Sequence, residues 1–214
     1  MKLILQIVLW IVIVVLVYFN YKAIYGPVEF NKAKEKRYAQ VIQKMDKIRK
    51  AQLAHREVTG KFTSTFDSLT KFIDTAEFTL TQRRDTSYLD KEYLKTYGVD
   101  KMVEDVVIDT LGTAKVKDSL FKNYDYSKLE IVPTTENKKF DLDAGYVTVN
   151  NNKVPVFEAK VNKSTILEGL DPELIIQEKQ TISVDGVNGA YIRVGSMDEV
   201  NTSGNWPINY GKQE

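Results

Sequence analysis

The first segment of the chain constrains it most. Residues 3–19, LILQIVLWIVIVVLVYF, form an apolar run interrupted only by Gln6, and near-apolar character continues to Tyr25. At 1.5 Å per residue, residues 3–25 make about 34 Å of helix, enough to cross the hydrocarbon core of a bilayer. One transmembrane anchor over residues 1–25 is therefore expected, with the lipid bilayer as its partner. A cleaved signal peptide would have a shorter apolar region followed by a small-x-small site, whereas Tyr18, Phe19, Asn20, Tyr21 and Lys22 follow here, so the anchor is expected to be retained. Tyr18, Tyr21 and Tyr25 recur at i, i+3 and i+7, the pattern of amphipathic rings at lipid headgroups. Gln6 and Trp10 lie one turn apart and share a face, where an amide and a large ring can contact a neighbouring membrane helix. Alternatively, Gln6 simply sits close to the interface.

Orientation is contested by the charges. Lys2 and the terminal amine stand on one side, and Lys22, Lys32, Lys34, Lys36 and Arg37 on the other. Counted alone, the positive-inside rule leaves the large domain in the cytoplasm. Long domains, however, translocate largely regardless of charge, and a chain without Cys suits an oxidising compartment. The expectation is a bacterial inner-membrane protein, single-pass, with the bulk of the chain in the periplasm.

After Gly26-Pro27, expected to break or kink the helix, residues 26–61 read as a basic amphipathic stalk. Tyr38, Val41, Met45, Ile48, Gln52 and His55 follow a 3-4-3-4-3 spacing, broadened by Ile42, Ala51 and Leu53. Two of the six positions are polar and the stripe lasts few heptads, so it is expected to pack on its own domain, with Tyr38, Val41, Met45 and Ile48 as the packing residues, rather than form a coiled-coil seam. Residues 28–61 hold ten Lys/Arg against four Asp/Glu, a local charge of +6; with Lys2 and Lys22 also counted, the overall +1 leaves −7 after Lys61. A basic element beside the bilayer can be drawn to anionic headgroups or to an acidic partner. The helix should stop at Thr59-Gly60, where glycine suits a left-handed cap. Ser64 to Asp67 then has the form of a capping box opening a short helix over residues 66–74.

The run Ile48-Arg49-Lys50-Ala51-Gln52, followed by Thr59-Gly60-Lys61-Phe62 and Phe66-Asp67-Ser68-Leu69, resembles the end of the long helix in type IV pilins and type II secretion pseudopilins. The resemblance covers about the first 75 residues. It implies an amino-terminal hydrophobic helix that extends into a stalk packed on a small antiparallel sheet. The chain differs from those families in having no Gly-Phe-x-x-x-Glu processing site ahead of the apolar run, and in Gly26-Pro27.

From Glu77 the pattern changes to period 2. Residues 77–82, 101–110, 113–121, 128–133, 145–161, 180–186 and 189–196 are rich in Val, Ile, Thr, Tyr and Phe and are separated by Gly, Asn and Asp. Antiparallel strands are expected, with a hairpin loop at Asn150-Asn151-Asn152, turns at Asp185-Gly186 and Asn188-Gly189, and helices over residues 91–97 and 164–169. The fold class is α+β: a transmembrane helix, a stalk helix, and a mainly antiparallel head over residues 62–214 as one domain. In the tail, which also carries Ile208 and Tyr210, Trp206-Pro207 is expected to pin the terminus to the sheet, with an exposed aromatic patch as the rival reading.

Chemistry is sparse. Without Cys and with one His, the chain lacks the ligands for a zinc-thiolate or His-rich metal site and has no cysteine nucleophile. Thirty Lys/Arg balance twenty-nine Asp/Glu, so the electrostatic case for a nucleic-acid partner is missing. His55 lies within the stalk stripe. Ser119 and Lys122 have Ser-x-x-Lys spacing without the companion motifs of that enzyme class. Asp141 and Asp143 would share a strand face and could hold a hard cation such as Ca²⁺, but two carboxylates are few for a site. Two glycosylation sequons, at Asn162 and Asn201, matter only in a eukaryotic secretory route. No catalytic residue, cofactor or metal is expected. The expected function is a non-catalytic, membrane-anchored structural or interaction subunit of a bacterial envelope assembly, with other membrane subunits as partners and a homo-oligomer as an open alternative. The other readings are an accessory subunit of an energised transport, secretion or gliding-motility complex, and a membrane-tethered ligand sensor or hydrolase.

Overall fold

The computed structural model describes residues 2–184, 186–207 and 210. The chain is α+β, 47% helical and 27% strand. Lys2–Thr59 form a single helix, α1, of 58 residues, about 87 Å long at 1.5 Å per residue. The break expected at Gly26-Pro27 does not occur, and Pro27 lies inside the helix. Proline removes the bond to the Ala23 carbonyl and crowds it, at about 3 kcal/mol. That local cost is opposed by the packed stripe that follows Pro27, Tyr38 to His55, which holds α1 on the sheet. α1 ends as expected: Gly60 adopts φ 76° and its N–H donates to the Arg56 carbonyl at 2.8 Å.

Contacts divide the chain into two compact units, Met1–Leu69 with Ser127–Glu214, and Thr70–Tyr126. In the first, β3 (Asp141–Val149), β4 (Asn152–Asn162) and β5 (Tyr191–Gly195) form an antiparallel sheet in that order. Alternation puts Phe157, Ala159 and Val161 of β4 and Ile192 and Val194 of β5 in the core, all buried. Against this core lie Tyr38, Val41, Met45, Ile48 and Ala51 of α1, each fully buried, with Gln52. Burying each large apolar side chain contributes about 1.5–3 kcal/mol. Phe62, just past α1, packs against Phe157 with ring centroids 4.7 Å apart and the rings tilted by 48°. β3 and β4 are joined by Asn150-Asn151, φ 48° and 66°, while Asn152 already pairs with Val149; positive φ at both central residues marks a type I′ turn, which matches strand twist. Gly195 has φ 79°, and a Cβ there would lie 2.2 Å from the Phe157 carbonyl oxygen, so only glycine fits.

Two short helices follow β4. α5 (Lys163–Ile166) is a single turn capped by the Asn162 side chain, shorter than the helix expected over residues 164–169. α6 (Pro172–Gln180) was not expected from periodicity, although Asp171-Pro172 is a starting signal: the Asp171 carboxylate accepts from the Glu173 N–H at 2.9 Å and Pro172 occupies the first turn. The strand expected over residues 180–186 is absent from the described residues there. Ile182 and Val184 are more than 90% exposed, a period-2 pair with no neighbouring strand among the described residues to cover it. Residues 128–133 likewise give a 3₁₀ turn (Tyr126–Lys128) and one bridge, Ile131 to Lys139, because Pro133 cannot extend a ladder. Gly204 bridges Val194, and the Trp206 ring lies over Gly204, which brings the tail to the sheet edge. Asp185 and Ile208 lie outside the described residues.

The helix α2 (Phe66–Thr75) begins after Thr65 rather than Ser64, and the Thr65 hydroxyl donates to Ser68 Oγ at 2.9 Å. In the second unit β1 (Glu77–Leu89) and β2 (Met102–Lys115) form a two-stranded antiparallel ribbon with a bulge after Leu80. Its connection carries α3 (Lys91–Tyr97), as expected, with Asp90 as N-cap and Gly98 at φ 67° as its left-handed stop. The strand expected over residues 113–121 ends at Lys115, where α4 (Val116–Leu120) begins. Val116 and Phe121 are buried there, the latter edge-on to Tyr126 at 5.9 Å.

Candidate functional site

Residues 2–25 of α1 are exposed throughout. It is long and apolar enough to cross a membrane, and none of its apolar window is buried against the protein. Gln6 and Trp10 are both exposed one turn apart, the indole at 62%. Tyr18, Tyr21 and Tyr25 are exposed as well; Tyr21 and Tyr25 stack with centroids 4.3 Å apart, and Tyr18 meets Phe19 edge-on at 6.0 Å. Asn20, the polar residue among them, donates its side-chain amide to the Leu16 carbonyl at 2.8 Å, returning its hydrogen bond to the helix. The first buried residue is Phe30, five residues beyond Tyr25 and so about 7.5 Å along the axis. A folded head thus begins close to the end of the apolar segment.

What fastens α1 to that head is a buried polar junction. Lys163 of α5 is fully buried, and its ammonium donates to the Val187 carbonyl at 2.7 Å, the Glu178 carbonyl at 2.8 Å and Glu178 Oε1 at 3.1 Å. Glu178, on α6, also accepts from the Tyr38 hydroxyl at 3.3 Å and from Lys34 Nζ at 3.0 Å, both on α1. Arg37 caps α5 by donating to the carbonyls of Ile166 and Glu168, each at 2.9 Å. Lys44 donates to the Ile131 carbonyl at 2.6 Å. Burial pushes the Lys163 pKa down, with Glu178 acting against it and Lys34 adding to it. Burial also raises the Tyr38 pKa, as does the facing Glu178 carboxylate. Tyr210, with its ring 6.3 Å from that of Tyr38, is pushed up to about 12 by burial and then by Glu35 and Glu178. All three protons of Lys163 are engaged, so the ammonium is a structural donor rather than a nucleophile. Three of the stalk's cations therefore act as donors into the head.

The other sequence candidates are placed differently. Asp141 and Asp143 do share the outer face of β3, but Lys160, paired across from Asp141, puts its ammonium 3.7 Å from Asp143 and 2.8 Å from Glu158. A lysine thus stands where a cation would bind. Its pKa is raised, first by the hydrogen bond to Glu158. Glu158 is itself buried and also meets Arg193 at 3.4 Å. Among the described residues no group of three or more His, Asp or Glu is arranged to hold a metal. Ser119 and Lys122 are both exposed, and α4 ends between them. His55 is buried, with Nδ1 2.6 Å from the Lys61 carbonyl oxygen, so it closes the end of α1. At the sequon, Asn162 Oδ1 caps Ser164 and Lys163 is buried.

The junction residues Lys34, Arg37, Lys163 and Glu178 were not singled out by the sequence. The signal that leads to Glu178 is the Asp171-Pro172 helix start. No family model, curated protein or solved structure matches the chain.

Proposed function

We propose that this chain is a non-catalytic, single-pass membrane-anchored structural or interaction subunit of a bacterial cell-envelope assembly, presenting its head outside the cytoplasm. The observation that carries the reading is α1 itself: a helix apolar on all sides over its first two dozen residues continues unbroken into a stripe built into a folded head. A soluble protein exposing so much contiguous apolar surface would aggregate, whereas lipid covers it. The nearness of Phe30 to Tyr25 keeps the head at the headgroups, with Lys32 and Lys36 exposed there, each worth about 1 kcal/mol at an anionic surface. The uninterrupted helix running onto an antiparallel sheet is the architecture implied by the pilin and pseudopilin resemblance, and we extend that analogy to the role of an assembly subunit.

Alkaline carbonate extraction tests the anchor: the chain should remain in the membrane pellet, and its release into the supernatant would refute the reading. Protease added to intact spheroplasts should digest the head; full protection would reverse the orientation. A second reading, an accessory subunit docked on a larger energised membrane complex, is favoured by the shared exposed face of Gln6 and Trp10. Photocrosslinking from either position should then capture a different membrane protein.

A further inference from the structure

The ribbon of the second unit is an unfinished sheet. β1 and β2 pair over their whole length, and among the described residues theirs is a two-stranded sheet. Each strand therefore keeps one row of N–H and C=O groups with no strand neighbour. Isolated two-stranded hairpins are at best marginal in water. This one also leaves Val106, Val107, Ile108 and Leu111 of β2 exposed, the last two by about two thirds. β2 has no Pro, places its one Lys at its end and bulges only at Leu111, so its edge is regular from Met102 to Thr110.

Charge decides what fits that edge. β1 carries Arg83 and Arg84 at its middle, and β2 carries Glu104, Asp105 and Asp109. Within the ribbon Arg84 is paired to Asp109 at 2.7 Å and Arg83 to Asp85 at 3.4 Å, which leaves Glu104 and Asp105 without an ion pair among the described residues. Two β2 edges placed antiparallel would set these acids against one another, and two β1 edges would oppose arginine to arginine. Only β1 against β2 sets opposite charges face to face.

We propose that β1 of a second copy of this chain adds antiparallel to the open edge of β2, so that ribbons join head to tail into a continuing sheet. The added strand meets the outward backbone groups of β2 and brings a second arginine pair to Glu104 and Asp105. Such a contact is heterologous: every copy still offers one β1 edge and one β2 edge, so the assembly does not close on itself as an isologous dimer would. The inference goes beyond the membrane-subunit reading, since the ribbon edges are open whether or not α1 lies in lipid.

The absence of Cys makes the test direct. Gln82 and Val106 are both exposed, and they face each other in the register that sets Arg83 and Arg84 of the added strand against Asp105 and Glu104. Full-length chains carrying Gln82→Cys or Val106→Cys, with different tags, are produced separately and together in membranes and treated with a short bismaleimide. A mixed dimer should form when both variants are present and be lost when either is alone. Its yield should fall as salt rises and screens the facing charges. A chain carrying Thr81→Cys and Thr110→Cys, which face each other across the ribbon, should close internally and report that the ribbon is folded. Equal dimer from each single variant, no dimer at all, adducts only to a different protein, or failure of the internal closure would each overturn the proposal.

Discussion

At the scale of single residues, the head is tied to α1 around a buried Lys163–Glu178 pair. Breaking a buried pair by removing one partner costs more than removing both, because the remaining charge stays desolvated. Glu178→Leu leaves the Lys163 ammonium buried among carbonyls and should cost about 3–5 kcal/mol in denaturant unfolding. Adding Lys163→Met to that variant should recover much of the loss; strict additivity would show that the two residues are not coupled. The tyrosines beside them set an alkaline limit. Their ordinary pKa is 10.0, and both Tyr38 and Tyr210 are raised in the fold. Above pH 10 the unfolded chain releases these protons while the folded chain keeps them, so stability falls as pH rises through that window. Lys163 opposes this, because its lowered pKa lets the folded state shed a proton before the unfolded chain does. Tyr124, Tyr126 and Lys160 are raised in the fold as well, so the groups that lose stability as pH rises outnumber Lys163. Thermal unfolding should drop between pH 9.5 and 11, over which the fully buried Tyr38 titrates only on unfolding, and Tyr38→Phe should flatten that drop. An unchanged slope in the variant would remove Tyr38 from the explanation.

At the scale of elements, local rules were readable and distant partners were not. The stripe from Tyr38 to His55 stands out because a helical face repeats every 3.6 residues, and the structure buries those six positions. The β3–β4 hairpin stands out because Asn tolerates the left-handed region its turn needs. That turn still carries some strain, since type I′ geometry favours Asn-Gly. Asn151→Gly, at φ 66°, should therefore raise stability by about 0.5–1 kcal/mol in urea unfolding. Period 2 misled at Ile182 and Val184, where alternation exists but no strand lies alongside. The continuity of α1 through Pro27 was hidden because a proline penalty is local, while the packed stripe that opposes it lies further along the chain. The Lys163 junction was hidden for a related reason: its members on α1 lie 140 and 144 residues from Glu178, and no spacing rule links them.

At the scale of the whole chain, the charge asymmetry seen in the sequence has a structural use. Lys34, Arg37 and Lys44 of the basic stalk donate into the acidic head, while Lys32 and Lys36 stay exposed near the end of the apolar segment. One helix thereby carries both the exposed apolar segment and part of the head core, so the head should not fold without it. Deleting residues 28–59 should leave an aggregated or protease-sensitive head, whereas deleting residues 2–25 should leave a folded, water-soluble one; circular dichroism and limited proteolysis of the two forms would report this. For the chain to act as a membrane subunit, residues 2–25 must stay covalently joined to the head and embedded in lipid. Intact-mass measurement of the chain purified from the membrane fraction tests that most directly. A mass that includes the apolar segment is the predicted result, and a mature chain that begins beyond Tyr25 and is recovered from the soluble fraction would contradict it.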